Sequence, residues 1–162
     1  MSSLTRRSES SAADATVIHY LALAGGQYQV GSFAKTTASA TASQPVTGVR
    51  FRPVGLLLTS FNKTASTAIV SEGRISLGAS DGTTEGAIWY HDLDNQGTTV
   101  VKVRSSTTKV AVHASGTTLN AEADLSSFDA NGFTLSWTTN NAVAEEILYA
   151  AFGPRRRVMV VQ

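Results

Sequence analysis

The chain has 162 residues, 42% of them hydrophobic and only 15% charged, with a formal net charge of +1 and no cysteine. A near-neutral chain has no global field to steer it onto nucleic acid, and a chain without thiols has neither a disulfide framework nor thiolate metal sites. No apolar run approaches the ~20 residues that cross a bilayer as a helix, so neither nucleic acid nor membrane is expected as a partner.

A chain of this length suits one domain and buries roughly two thirds of its unfolded surface. Ser and Thr fill the polar positions that charged residues usually take, and Thr is favoured on pleated surfaces. Three parts are expected: an N-terminal arm over 1–15, a β-sandwich domain over 16–153 and a C-terminal tail strand over 154–162. The arm is rich in Ser and Ala, with Arg6 and Arg7 opposed by Glu9 and Asp14. It carries positive charge but no following apolar core segment, so no secretory leader is expected.

Val17 to Leu23 reads as a first strand, Gly25-Gly26 as a turn, and Gln27 to Phe33 as a second strand with Tyr28, Val30 and Ser32 on one face. Lys35 to Gln44 is a loop without periodicity, and Val46 to Phe51 a short strand closed by Arg52-Pro53. Gly55 to Phe61 is largely apolar, which predicts a strand buried on both faces. Strands follow at Thr67 to Val70, Arg74 to Leu77 and Ala87 to His91, with a turn at Ser80-Asp81-Gly82-Thr83. Val100 to Arg104 and Val110 to His113 look like a hairpin pair across Ser105 to Lys109.

Leu119, Ala121, Ala123 and Leu125 alternate with Asn120, Glu122 and Asp124 as in a strand with one buried face. Asp129-Ala130-Asn131-Gly132 supplies a reversal in which Asn131 and Gly132 tolerate positive φ. Phe133, Leu135 and Trp137 then alternate with Thr134 and Ser136, and Phe128 can meet Phe133 over one core. Ala142 to Leu148 has room for one or two helical turns at most. About ten short strands without intervening helices indicate an all-β sandwich or jelly roll.

Catalytic signals are sparse. His19, His91 and His113 have no second ligand at metal spacing on their own strand face, and His91 and Asp92, as strand neighbours, must diverge. Asp92 to Gly97 opens like a calcium loop but has Val103 where the bidentate acid belongs. Glu122 and Asp124 share the polar face of a one-sided strand, unlike carboxylates facing across a cleft. No nucleophile elbow or phosphate-binding glycine fingerprint occurs. No enzyme activity and no cofactor are expected.

The strongest charge feature is Arg155, Arg156 and Arg157, followed by Val158 to Val161, a stretch of high β propensity that calls for pairing. Arg6, Arg7, Arg155, Arg156, Arg157, Val158 and Val160 are therefore the candidate partner-docking residues.

Three segments carry a family resemblance. Gln44 to Pro53 followed by Gly55 to Leu58, then Ser127 to Trp137, then Leu148 to Gly153 are similar to the recurrent unit of tailed-phage and prophage virion structural proteins. Tyr20 to Gly25 followed by Val30 to Phe33 resembles the junction between two such units. Arg50 stands where that pattern commonly has Gly. The resemblance implies a β-sandwich of jelly-roll type with extended arms. It further implies a homotrimer, a position on the virion after synthesis in the host cytoplasm, and the major capsid protein as partner. Its leading functional implication is a capsid decoration (cement) protein on the outside of the head. A fibre or receptor-binding module for host glycans is the alternative, which exposed Trp89 and Tyr90 would favour.

Overall fold

The computed structural model describes residues 20, 22–65, 68–69, 72–93 and 100–154. These form ten strands: β1 Gln27–Ala34, β2 Ala42–Thr47, β3 Gly55–Ser60, β4 Gly73–Ser80, β5 Glu85–Leu93, β6 Val100–Ser106, β7 Ala111–Ser115, β8 Thr118–Asp129, β9 Gly132–Thr139 and β10 Glu146–Gly153. No helix occurs among the described residues. Six strands make one antiparallel sheet in the order β1-β10-β3-β4-β5-β6, and four make a second in the order β2-β9-β8-β7. The two sheets pack on each other as a β-sandwich. The chain crosses between them after β1, β2, β6 and β9, so β3 to β6 and β7 to β9 are meanders within one sheet each.

The β8–β9 hairpin forms as its alternation dictates. Phe128 pairs with Phe133 in register and Asp129 with Gly132, leaving Ala130 and Asn131 as the turn. Both carboxylate oxygens of Asp129 are used, accepting from Ser127 Oγ and Thr134 Oγ1 at 2.7 Å each, which clips the hairpin end. Phe133, Leu135 and Trp137 are fully buried, and each such side chain contributes ~1.5–3 kcal/mol through burial. Phe133 meets Tyr149 edge-on with centroids 5.5 Å apart, and Phe33 meets Phe133 in the same manner at 6.0 Å. Strands of both sheets thus contribute to one core.

The positive φ expected at Asn131 or Gly132 is not used; the described residues with positive φ are Asn62, Gly25, Gly48, Gly82 and Gly116. Gly132 is required for a different reason. A Cβ there would lie 1.9 Å from the Val46 carbonyl oxygen of the neighbouring strand β2.

Val100 to Arg104 and Val110 to His113 do not form a hairpin. β6 pairs with β5, whereas β7 pairs with β8 in the other sheet. Between them the chain crosses the sandwich: Val110 N–H donates to the Ala123 carbonyl at 2.9 Å, and Lys109 Nζ reaches Asp124 at 2.7 Å and Thr138 Oγ1 at 3.0 Å. The crossing passes over Gly78, where a Cβ would sit 1.7 Å from the Val110 carbonyl oxygen.

β3 is buried on one face only. Leu56, Leu58 and Ser60 point into the core, while Leu57 is 48% exposed, because the six-stranded sheet has the second sheet on one side alone. The strand expected at Val46 to Phe51 lies earlier, over Ala42–Thr47, where Pro45 sits on an edge strand. Ala142 to Glu145 is loop, not helix, and leads directly into β10. In the expected strand at Val17 to Leu23, Tyr20, Ala22 and Leu23 have no strand structure and the rest lies outside the described residues. Ala68 and Ile69 likewise are not strand, and their expected neighbours Thr67 and Val70 lie outside the described residues.

Candidate docking face

Period-2 alternation in the six-stranded sheet sends one set of side chains to the core and the other to the open side. The register of β1, β10, β3, β4, β5 and β6 arranges the outward set into rows running across the strands. One row is Val30, Ala150, Leu57, Ala79 and Gly86. The next is Ser32, Leu148, Thr59, Leu77, Ile88 and Ser105. Together they line a shallow open trough. Neither row contains an Asp, Glu, Lys, Arg or His. Val30 is 77% exposed, Ile88 55% and Leu77 44%, so the large residues are about half or more in water. Tyr28 and Phe152 flank the first row, meeting edge-on at 6.0 Å, and Tyr90 and Val103 flank the second. Charge returns at the margin, at Glu146, Asp92 and Asp81.

Ionisable groups inside the sandwich are held by partners. His113 Nδ1 contacts Glu145 Oε2 in a fully buried pair. Beside it, Lys35 Nζ donates to Asn140 Oδ1 at 2.5 Å and to the Asn141 carbonyl and Oδ1 at 2.9 Å. It lies 5.6 Å from the centre of the Trp137 ring. Burial pushes the Lys35 ammonium below its ordinary range, and the Glu145 charge opposes that. His91 is also fully buried. Gly116 N–H donates to its Nδ1 at 3.0 Å, and its Nε2 faces Glu72 at 3.7 Å and Arg74 Nε at 3.3 Å. The shorter Gly116 contact takes the single lone pair of a neutral ring. Glu72 is held below its usual carboxylate range by its hydrogen bond from Arg74, at 2.6 Å.

Each sequence-derived candidate can now be placed. Arg6, Arg7, Arg155, Arg156, Arg157, Val158 and Val160 lie outside the described residues, as do His19 and residues 94–99 of the calcium-like loop. His91 is buried and Asp92 exposed, on opposite faces of β5. Glu122 and Asp124 do not face each other across a cleft. Glu122 pairs with Arg104 at 3.0 Å and Asp124 with Lys109 at 2.7 Å. Among the described residues no three His, Asp or Glu side chains gather as metal ligands. Trp89, expected at a loop edge, is buried and bonded to Asn62, whereas Tyr90 is on the open face at 38% exposure.

Reading Gly55 to Phe61 as a strand buried on both faces hides the docking face. Large apolar residues at both parities of a strand are also the sign of a face kept apolar for another molecule. Compared with protein-family models, curated proteins and solved structures, the chain matches none of them.

Proposed function

We propose that this chain is a structural virion protein, a capsid decoration (cement) protein that binds the outside of a phage head and reinforces it. The observation that carries the reading is the apolar outer face of the six-stranded sheet. Soluble monomers rarely leave a contiguous apolar area of this extent in water, and a face so free of charge is suited to being covered by protein. The segments similar to phage structural proteins supply the setting: the major capsid protein as partner, a homo-oligomer, and a jelly-roll type of sandwich. Nested pairing of β1 with β10 and of β2 with β9 supports that last assignment. In this reading the arms, with Arg6, Arg7 and Arg155 to Arg157, grip carboxylates of the shell.

The fibre or glycan-binding reading loses Trp89, which is inside, and keeps Tyr90 and Tyr28 as accessible rings for stacking on a sugar. Co-sedimentation with undecorated heads tests the proposal. The full chain should pellet with the heads, and a chain lacking 1–15 and 154–162 should stay folded but remain in the supernatant. Binding to host cells and not to heads would overturn the decoration role.

A further inference from the structure

Along five of the six strands of the docking face a large outward residue is followed or preceded, two positions away, by a small one. The pairs are Val30 with Ser32, Leu148 with Ala150, Leu57 with Thr59, Leu77 with Ala79 and Ile88 with Gly86. Cross-strand register aligns these pairs into the two rows, so knobs of one row lie beside holes of the other. We infer that a second copy of this chain covers the face, related by a two-fold axis that lies across the strands between the two rows.

That axis exchanges the rows while keeping each position along them. Leu57 then faces the partner's Thr59, Leu77 faces the partner's Ala79, and Ile88 faces the partner's Gly86. An isologous contact must be self-complementary, and alternation of large against small supplies that complementarity in shape. The lack of charge on both rows supplies it electrostatically: no like-charged groups are brought together there, while Glu146, Asp92 and Asp81 lie beyond the two rows, at the rim.

The area is adequate as well. Six strands about 4.8 Å apart, and four rows about 6.8 Å apart once the flanking Tyr28–Phe152 and Tyr90–Val103 rows are counted, give a face of roughly 500–700 Å² per copy. The two copies together reach the lower end of specific interfaces, about 1,200 Å² in total. Packing two sheets through such a face repeats the contact that already joins the two sheets inside each copy.

This rests on the homo-oligomer reading above but puts a two-fold pair in place of the trimer that the resemblance implies, and its test is separate from head binding. The full chain at micromolar concentration is measured by sedimentation equilibrium, beside a Leu57→Lys/Ile88→Lys variant and a Leu57→Glu/Ile88→Glu variant. The wild type should show twice the 17.0 kDa chain mass. Each variant should show the single mass with an unchanged circular dichroism spectrum, since both side chains are about half exposed. Mixing the two variants should restore the double mass, because opposite charges then meet across the axis.

A wild type at the single mass overturns the pairing, whether shell protein or residues 1–19 or 155–162 of the same chain cover the face instead. A three-chain mass overturns the two-fold arrangement. Variants that stay paired place the contact elsewhere, and a mixture that fails to pair refutes face-to-face contact. A single-mass wild type that still pellets with heads leaves the decoration reading standing. A double-mass protein that does not bind heads has the reverse meaning.

Discussion

Trp89 donates its indole N–H to Asn62 Oδ1 at 2.8 Å, and Asn62 holds this position with a φ of 55°. The bond joins the loop after β3 to the inner face of β5 and gives the buried indole a partner. Few residues fit the site, because it needs both an acceptor of this reach and tolerance of the left-handed region.

Replacing Asn62 separates the two requirements. Asn62→Gly keeps the backbone conformation and leaves the indole N–H buried without an acceptor, which should cost ~1–3 kcal/mol. Asn62→Ala adds the left-handed strain and should cost about 1 kcal/mol more. Urea denaturation of both variants decides; equal losses would show that the backbone strain is irrelevant.

Trp137 closes the core under Lys35 and His113. Its ring is fully buried, meets His113 edge-on at 5.9 Å, and its indole N–H donates to Gln44 Oε1 at 2.9 Å. Trp137→Ala should destabilise the fold by ~3–5 kcal/mol. A melting temperature within a degree or two of the parent's, on an order-of-magnitude scale of several degrees per kcal/mol, would remove it from the core.

Gly78 is demanded by the crossing segment between β6 and β7. Gly78→Ala would force the Val110 backbone away and should cost more than about 3 kcal/mol, beyond ordinary overpacking. Gly55→Ala is the control, since its nearest contacts would be at 3.7 Å, and it should change stability by no more than about 0.5 kcal/mol. Similar denaturation midpoints for the two variants would contradict the close approach.

His91 makes stability depend on pH. Burial, and next the Arg74 charge, hold the ring below its ordinary value of 6.5, against the pull of Glu72. On acidification the unfolded chain therefore takes up the proton first. The contribution is whole above the ordinary value and is lost as pH falls through the folded one. Protonation would also remove the acceptor for Gly116 N–H. His91→Gln should lower stability at neutral pH yet show a smaller loss between about pH 7.5 and 5.5. An unchanged pH slope would exonerate His91.

Glu85 has the opposite sign. Burial, with the Asp124 charge adding to it, raises its carboxyl above the usual range. The Leu125 N–H bond to Oε1 at 2.7 Å only partly offsets this, and Oε2 is buried with no partner. A raised folded value stabilises below the unfolded value and loses that contribution as pH rises through the folded one. Glu85→Gln keeps the acceptor for Leu125 N–H and should raise the melting temperature at neutral pH, with the gain shrinking in acid. A lower neutral melting temperature would contradict the argument.

Much of the local structure was legible in residue order alone. Alternation in Phe133, Leu135 and Trp137, in Ala121 and Ala123, and in Tyr28 and Val30 determined which side chains share a face. The Ser80 to Thr83 turn was equally clear: Asp81 Oδ1 accepts the N–H groups of Thr83 and Thr84 at 2.8 Å each, and Gly82 takes positive φ. These are nearest-neighbour effects, encoded within a few residues of where they act.

Tertiary structure decided the rest. Alternation cannot say which of two faces meets the core, so Leu57 looked as buried as Leu56 and Leu58. It cannot say which strands pair either, because Val100 to Arg104 satisfies its ladder equally well beside β5 or beside β7. That choice went to the crossing over Gly78, a fit between positions distant in sequence. The pairing of His113 with Glu145 and the alignment of Leu57, Leu77 and Ile88 into one open face arise in the same way. They exist only once six strands stand in register, and no short stretch of the chain contains that register.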